Sequence, residues 1–66
     1  MDFRERLFEL RLQAGLSQEE LANLLGVTRQ AVQKWEAGAS RPDMDNLLSL
    51  ADYFKVSLDY LATGKE

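Results

Sequence analysis

QEELANLLGVTRQAVQKWEA, residues 18–37, carries two short apolar rows at helical spacing with a glycine between them. Leu21, Ala22, Leu24 and Leu25 follow the helical period, and Gly26 ends them as the residue type that enters the left-handed region without a Cβ penalty. Only Val27 separates that stop from Thr28, a favoured N-cap, so a second helix is predicted from Arg29 to about Ala37, before Gly38. So short a break makes the two helices cross steeply, and Ala22 supplies the small side chain that lets them approach. Leu21, Leu25, Val32 and Trp35 are assigned to the core, Trp35 because it is in phase with Val32.

Ser17-Gln18-Glu19-Glu20 reads as a capping box, in which hydroxyl and carboxylate each satisfy a free backbone donor, and it fixes the start of this helix pair at Gln18. Upstream, Phe3, Leu7, Leu10 and Ala14 keep helical spacing between Asp2 as cap and Gly15 as stop. Phe8 and Leu12 widen the apolar side of this first helix, which predicts packing against more than one neighbour. Downstream, Ala39 to Pro42 is a loop, since proline disfavours helix at the residue before it. Asp43 caps a fourth helix built on Leu47, Leu50, Ala51 and Phe54, and Ser57 caps a short fifth one through Leu61 to Gly64. No alternating run supports a strand. The expectation is all-α: a compact five-helix bundle forming a single domain over residues 1–66.

The 66 residues allow one core. A domain of this length buries about 60% of its unfolded surface, so modest stability is expected. The sequence has neither cysteine nor histidine, which removes disulfide staples and thiolate or imidazole metal sites and fits a reducing compartment such as the cytoplasm. No metal and no cofactor are expected. Asp2, Arg4, Glu5, Arg6 and Glu9 interrupt the apolar residues of the first ten positions, unlike a signal peptide or a membrane span. There is no glycine-rich phosphate loop, and the carboxylates have simpler roles as caps and surface charge, so an enzyme is not expected.

Net charge is −3, which by itself disfavours a phosphate-rich partner. Its distribution points the other way. Between Thr28 and Arg41 three cations stand against the single Glu36, while Asp43, Asp45, Asp52 and Asp59 collect later in the chain. On a helical wheel Arg29, Gln33, Ala37, Gln30 and Lys34 share one arc, opposite Ala31, Val32 and Trp35. Two cations and two amides around a small alanine suit a groove about 12 Å wide, where Arg and Lys match guanine and a Gln amide matches adenine. The plainer reading of the same arc is a solvated polar face.

The stretches Gly15-Leu16-Ser17-Gln18-Glu19-Glu20-Leu21-Ala22, Gly26-Val27-Thr28, Trp35-Glu36-Ala37-Gly38, Arg41-Pro42 and Val56-Ser57-Leu58-Asp59-Tyr60-Leu61 together resemble the Cro/CI-like, or XRE-type, helix-turn-helix family of phage and bacterial repressors. The resemblance covers almost the whole chain. It implies a lambda-repressor-like bundle whose third helix lies in the major groove of double-stranded DNA and whose homodimers bind paired half-sites. The implied function is a sequence-specific transcriptional regulator, acting as a repressor.

The resemblance matches Arg29, Gln30 and Lys34 to base-reading positions, with Gln33 added to them. A glutamine at the place of Gln18 holds a phosphate in the family, and residues around Ser40 and Arg41 grip the backbone across the groove. Thr28 stands at a helix N-terminus, whose free N–H groups suit a phosphate, although capping alone also accounts for it. Surface charge alone would likewise account for Arg41. An inward ion pair between Arg11 and Glu36 is implied as well, with Arg11 also near a phosphate. Tyr53, Leu58, Tyr60 and Leu61 are candidates for a dimer contact, but closing the core with the fifth helix is the preferred reading. The alternative function is an antitoxin or other protein-binding regulatory module, for which the acidic balance is the argument. Negative charge and the short Ala39–Arg41 loop depart from a typical groove binder, predicting moderate and strongly salt-dependent affinity.

Overall fold

Each helix starts where a side-chain oxygen takes up a first-turn N–H that has no partner within the helix. In the computed structural model, which describes residues 2–65, the five helices are α1 (Phe3–Gln13), α2 (Gln18–Leu25), α3 (Arg29–Ala37), α4 (Met44–Phe54) and α5 (Leu58–Thr63). Asp2 accepts from the N–H of Glu5 at 3.2 Å, Ser17 from Glu20 at 3.0 Å and Thr28 from Ala31 at 3.1 Å. Asp43 and Ser57 cap α4 and α5 in the same way, through the N–H groups of Asn46 and Tyr60, each at 2.9 Å. Reciprocal bonds from Glu5 and Glu20 make full capping boxes of α1 and α2.

The turn that defines the helix pair depends on Gly26, whose φ of 72° places it in the left-handed region. From there Val27 donates back to the carbonyl of Ala22 at 3.0 Å, and Thr28 opens α3 two residues after α2 has closed. α4 stops differently, on Lys55 at φ 59°, the one non-glycine residue in that region among those described.

Every helix contributes one large, fully buried side chain to a common core: Leu7, Leu21, Val32, Leu50 and Leu61. Burial of such a side chain contributes about 1.5–3 kcal/mol relative to leaving it in water. Phe3, Ala22, Trp35 and Ala51 complete the cluster. α2 and α3 share the most extensive contact, α1 packs against both α3 and α5, and α4 packs on α5 and more lightly on α2. No strand occurs among the described residues, and none of their helices is long and apolar enough to cross a membrane.

α1 departs from the pattern read off its apolar residues. It has two main neighbours, but Phe8 and Leu12 do not provide them, being 41% and 51% exposed, whereas Arg6 and Arg11 are buried. Helix ends explain the exchange. Arg6 donates from Nε to the carbonyl of Leu61 and from Nη2 to that of Ala62, both at 3.1 Å, satisfying carbonyls at the C-terminus of α5 that no backbone N–H of the described residues reaches. Arg11 serves the polar network described next.

Candidate nucleic-acid interface

The inward face of α3 is anchored by Val32 and Trp35, which are 0% and 5% exposed. That phase fixes the other side of the helix, so Arg29, Gln30, Gln33, Lys34 and Ala37 are all exposed. Among the described residues, no hydrogen bond or ion pair engages the side chains of Arg29, Gln30, Gln33 or Lys34. Two cations and two amides are therefore displayed on a seated helix with their donors and acceptors free. Nine residues make this helix about 13 Å long, at about 1.5 Å each, and its cylinder is close to the width of a major groove.

Behind that face lies the Arg11–Glu36 ion pair, its side chains 9% and 6% exposed. Arg11 donates from Nε to Glu36 Oε2 at 2.6 Å and from Nη2 to Oε1 at 2.9 Å, a two-pronged arrangement that fixes both planes. Its third nitrogen, Nη1, donates to the carbonyl of Leu16 at 2.8 Å, and the guanidinium carbon stands 5.3 Å from the centre of the Phe8 ring. With all three nitrogens engaged inside the protein, Arg11 is a structural tie rather than a surface cation. Hydrogen bonding to the carboxylate raises its pKa above the ordinary guanidinium value.

Gln18 is drawn into the same network, because its Nε2 donates to Glu36 Oε1 at 3.0 Å. One side chain near the end of α3 thus binds both α1 and the first residue of α2. No local stretch of sequence signals this link, because only the three-dimensional crossing of α2 and α3 brings Gln18 and Glu36 within reach. Fixing the amide's direction leaves its second N–H and its oxygen for an outside group.

The remaining candidates lie at helix ends. The Thr28 hydroxyl is occupied as the cap of α3, while the N–H groups of Arg29 and Gln30 beside it find no backbone acceptor among the described residues. In the α3–α4 loop the N–H groups of Ala39 and Ser40 turn back to the carbonyl of Lys34, at 2.9 and 3.4 Å, and the exposed Ser40 hydroxyl has no partner among the described residues. Arg41 leans on its own protein, with its guanidinium carbon 4.9 Å from the centre of the Phe3 ring and Nη2 3.4 Å from the carbonyl of Ala62. Arg41 is itself exposed and this hydrogen bond is long and exposed, so the two contacts orient the side chain without consuming it. Of the four residues considered for a dimer contact, Leu61 belongs to the core at 0% exposure, Leu58 and Tyr60 are half-buried and Tyr53 is exposed at 42%. Among the described residues no group of His, Cys, Asp or Glu side chains is arranged to hold a metal ion.

A family-wide sequence profile described as helix-turn-helix matches residues 7–61. The chain is 42% identical over 66 residues to the HTH-type transcriptional activator BcrR of Enterococcus faecalis, covering 100% of this chain and 32% of that protein. It is 42% identical over 62 residues to the SPbeta prophage-derived HTH-type transcriptional regulator YonR of Bacillus subtilis, covering 94% of this chain and 57% of the relative. It therefore spans about a third of one of these relatives and less than two thirds of the other. The P22 c2 repressor, solved in complex with a synthetic operator, matches with a TM-score of 0.92 at 31% identity over 98% of both chains. With the profile running from α1 into α5 and a solved relative following nearly the whole backbone, the chain belongs to the helix-turn-helix family, of the Cro/CI-like, XRE type.

Proposed function

We propose that this chain is a sequence-specific double-stranded-DNA-binding domain, residues 1–66, of a transcriptional regulator that works in the cytoplasm and represses by occupying its operator. The observation that carries the reading is the exposed row on α3, Arg29, Gln30, Gln33 and Lys34, whose side chains have no partner among the described residues. Among the described residues every buried side-chain nitrogen and oxygen has a hydrogen-bond partner, so an unmatched set on one rigid helix is available for a matching set outside it. Base edges in the major groove present such a set.

In this reading Arg29 and Lys34 donate to guanine O6 and N7, Gln30 and Gln33 pair with adenine, and Ala37 leaves room at the groove floor. Gln18, Thr28, Ser40 and Arg41 set the register on phosphates at either side, Gln18 through the amide N–H that Glu36 does not use. One domain of this size covers few base pairs, so a homodimer on half-sites one helical turn apart is the expected assembly. Repression is favoured by the P22 c2 relative, whose structure contains operator, although BcrR is named as an activator. No catalytic step is proposed.

Selection of duplexes from a random pool tests this directly. Recovery of a motif with two-fold symmetry, bound with strong salt dependence, is the expected result. No enrichment even at low salt would reject DNA as the partner and favour a protein-binding module.

A further inference from the structure

The start of α1 closes against the α3–α4 loop around an open cavity of about 250 Å³ lined by Arg4, Trp35, Gly38, Ser40 and Arg41, with Phe3 and Asp2 at its edge. Two guanidinium groups and a serine hydroxyl thus share its lining with the Trp35 ring. We infer that this cavity is a single phosphate seat on the DNA backbone, with Arg4 as its unassigned third member beside Ser40 and Arg41. The inference rests on the DNA reading above and extends it to a residue of α1.

Three features support the placement. Arg4 Nη1 lies 3.5 Å from the carbonyl of Ala37, the last residue of α3 and the middle of its exposed arc, so the guanidinium extends the α3 ridge beyond its C-terminal end. A helix C-terminus carries partial negative charge and repels a phosphate. Arg4 covers that carbonyl and replaces its field with a cation, which makes the end of α3 fit for an anion. The third feature is restraint: Arg41 rests on the Phe3 ring and Arg4 packs against Gly38, where its Cδ would be 3.1 Å from an added Cβ. Both cations are thus held beside Ser40 while each remains exposed. Asp2 opposes the seat, since its Oδ2 is 3.3 Å from Arg4 Nε and competes with any phosphate for the same donor.

The test uses a duplex recovered by selection and a random duplex of equal length, with binding measured from 0.05 to 0.3 M salt. Each phosphate contact on double-stranded DNA adds about 0.9 to the salt slope, so Arg4→Gln should lower it by about 0.9 per bound subunit and weaken both duplexes by about eightfold at 0.1 M salt. Arg4→Lys, which restores the charge, should restore most of the slope. Asp2→Asn keeps a good helix cap and should tighten binding to both duplexes. A loss of folded protein would scale affinity without changing the slope, so the slope separates contact from stability. If the unaltered protein recovers no duplex, the DNA reading fails and takes this seat with it. If it binds but Arg4→Gln keeps the full slope, the seat alone is overturned.

Discussion

Cutting the Arg11–Glu36 tie from each side tests how the exposed face of α3 is held. The pair is nearly dry, at 9% and 6% side-chain exposure, and makes two bonds of 2.6 and 2.9 Å. Arg11→Ala leaves the Glu36 carboxylate buried with one remaining neutral donor, Gln18 at 3.0 Å. A buried charge stripped of its partner costs about 3–5 kcal/mol. Glu36→Ala leaves the guanidinium with the Leu16 carbonyl and the Phe8 ring, itself 41% exposed, so this cation has a short path to water and its loss should lie at the low end of that range. Against a total stability of roughly 3–10 kcal/mol for a domain of this length, either loss is large. Urea unfolding at pH 7 should therefore rank Arg11→Ala below Glu36→Ala, with both far below the unaltered protein. Apolar replacement of both residues, Arg11→Met with Glu36→Leu, should recover most of the loss, because desolvation and attraction are removed together. The double-alanine cycle should show strong non-additivity between residues in such contact. Single losses below about 1 kcal/mol that simply add would refute the argument, since that is how exposed ion pairs behave.

Three further outcomes follow from the geometry. In competition against duplexes altered one base pair at a time, Arg29→Ala and Lys34→Ala should each relax preference at one position by about 1–3 kcal/mol, while Gln18→Ala should weaken every duplex alike; equal losses from all three would reject α3 as the reading helix. The Ser17 N–H bonded to Glu20 holds that carboxyl below its usual 4.5, so its contribution to stability is complete above that value and is lost as pH falls through the lower, folded-state pKa. Acid unfolding of Glu20→Gln should consequently show a shallower decline in that window, and an unchanged decline would remove the capping box as its source. Gly64→Ala should lower Tm more than Gly26→Ala: both have positive φ, at 80° and 72°, but a Cβ at Gly64 would stand 2.7 Å from Arg6 Nη1 while one at Gly26 meets nothing within 4 Å.

The helix borders were legible because they are set by local chemistry. Asp2, Ser17, Thr28, Asp43 and Ser57 each act on an N–H three residues away, so a short window of sequence contains the whole interaction. The exposed row on α3 was legible for a related reason, since Val32 and Trp35 fix the phase and the remaining residues must face outward. α1 resisted the same treatment. Apolar periodicity assigns burial by residue type, and here two arginines take buried positions while Phe8 and Leu12 are exposed. Their partners, Leu61, Ala62 and Glu36, are 25 to 56 residues away in the chain, where no local window reaches.

The division has a physical consequence for the interface. Residues facing outward on α3 were readable because the fold leaves them alone, whereas Gln18 and Arg41 were only half readable because the fold also uses them. Gln18 shares Glu36 with Arg11, so its direction depends on an ion pair that ties α1 to α3. Arg41 bridges the α3–α4 loop to the end of α5, where Arg6 already holds the same Ala62 carbonyl. A side chain held by an internal partner is already oriented and offers only the donors that partner leaves free: Gln18 keeps its bond to Glu36 and presents its second N–H, and Arg41 presents the guanidinium nitrogens that Ala62 does not take. The exposed row on α3 carries no such internal bond among the described residues, so under the proposed DNA reading its full set of donors and acceptors is available to base edges, while the pre-oriented flanking residues suit the fixing of register.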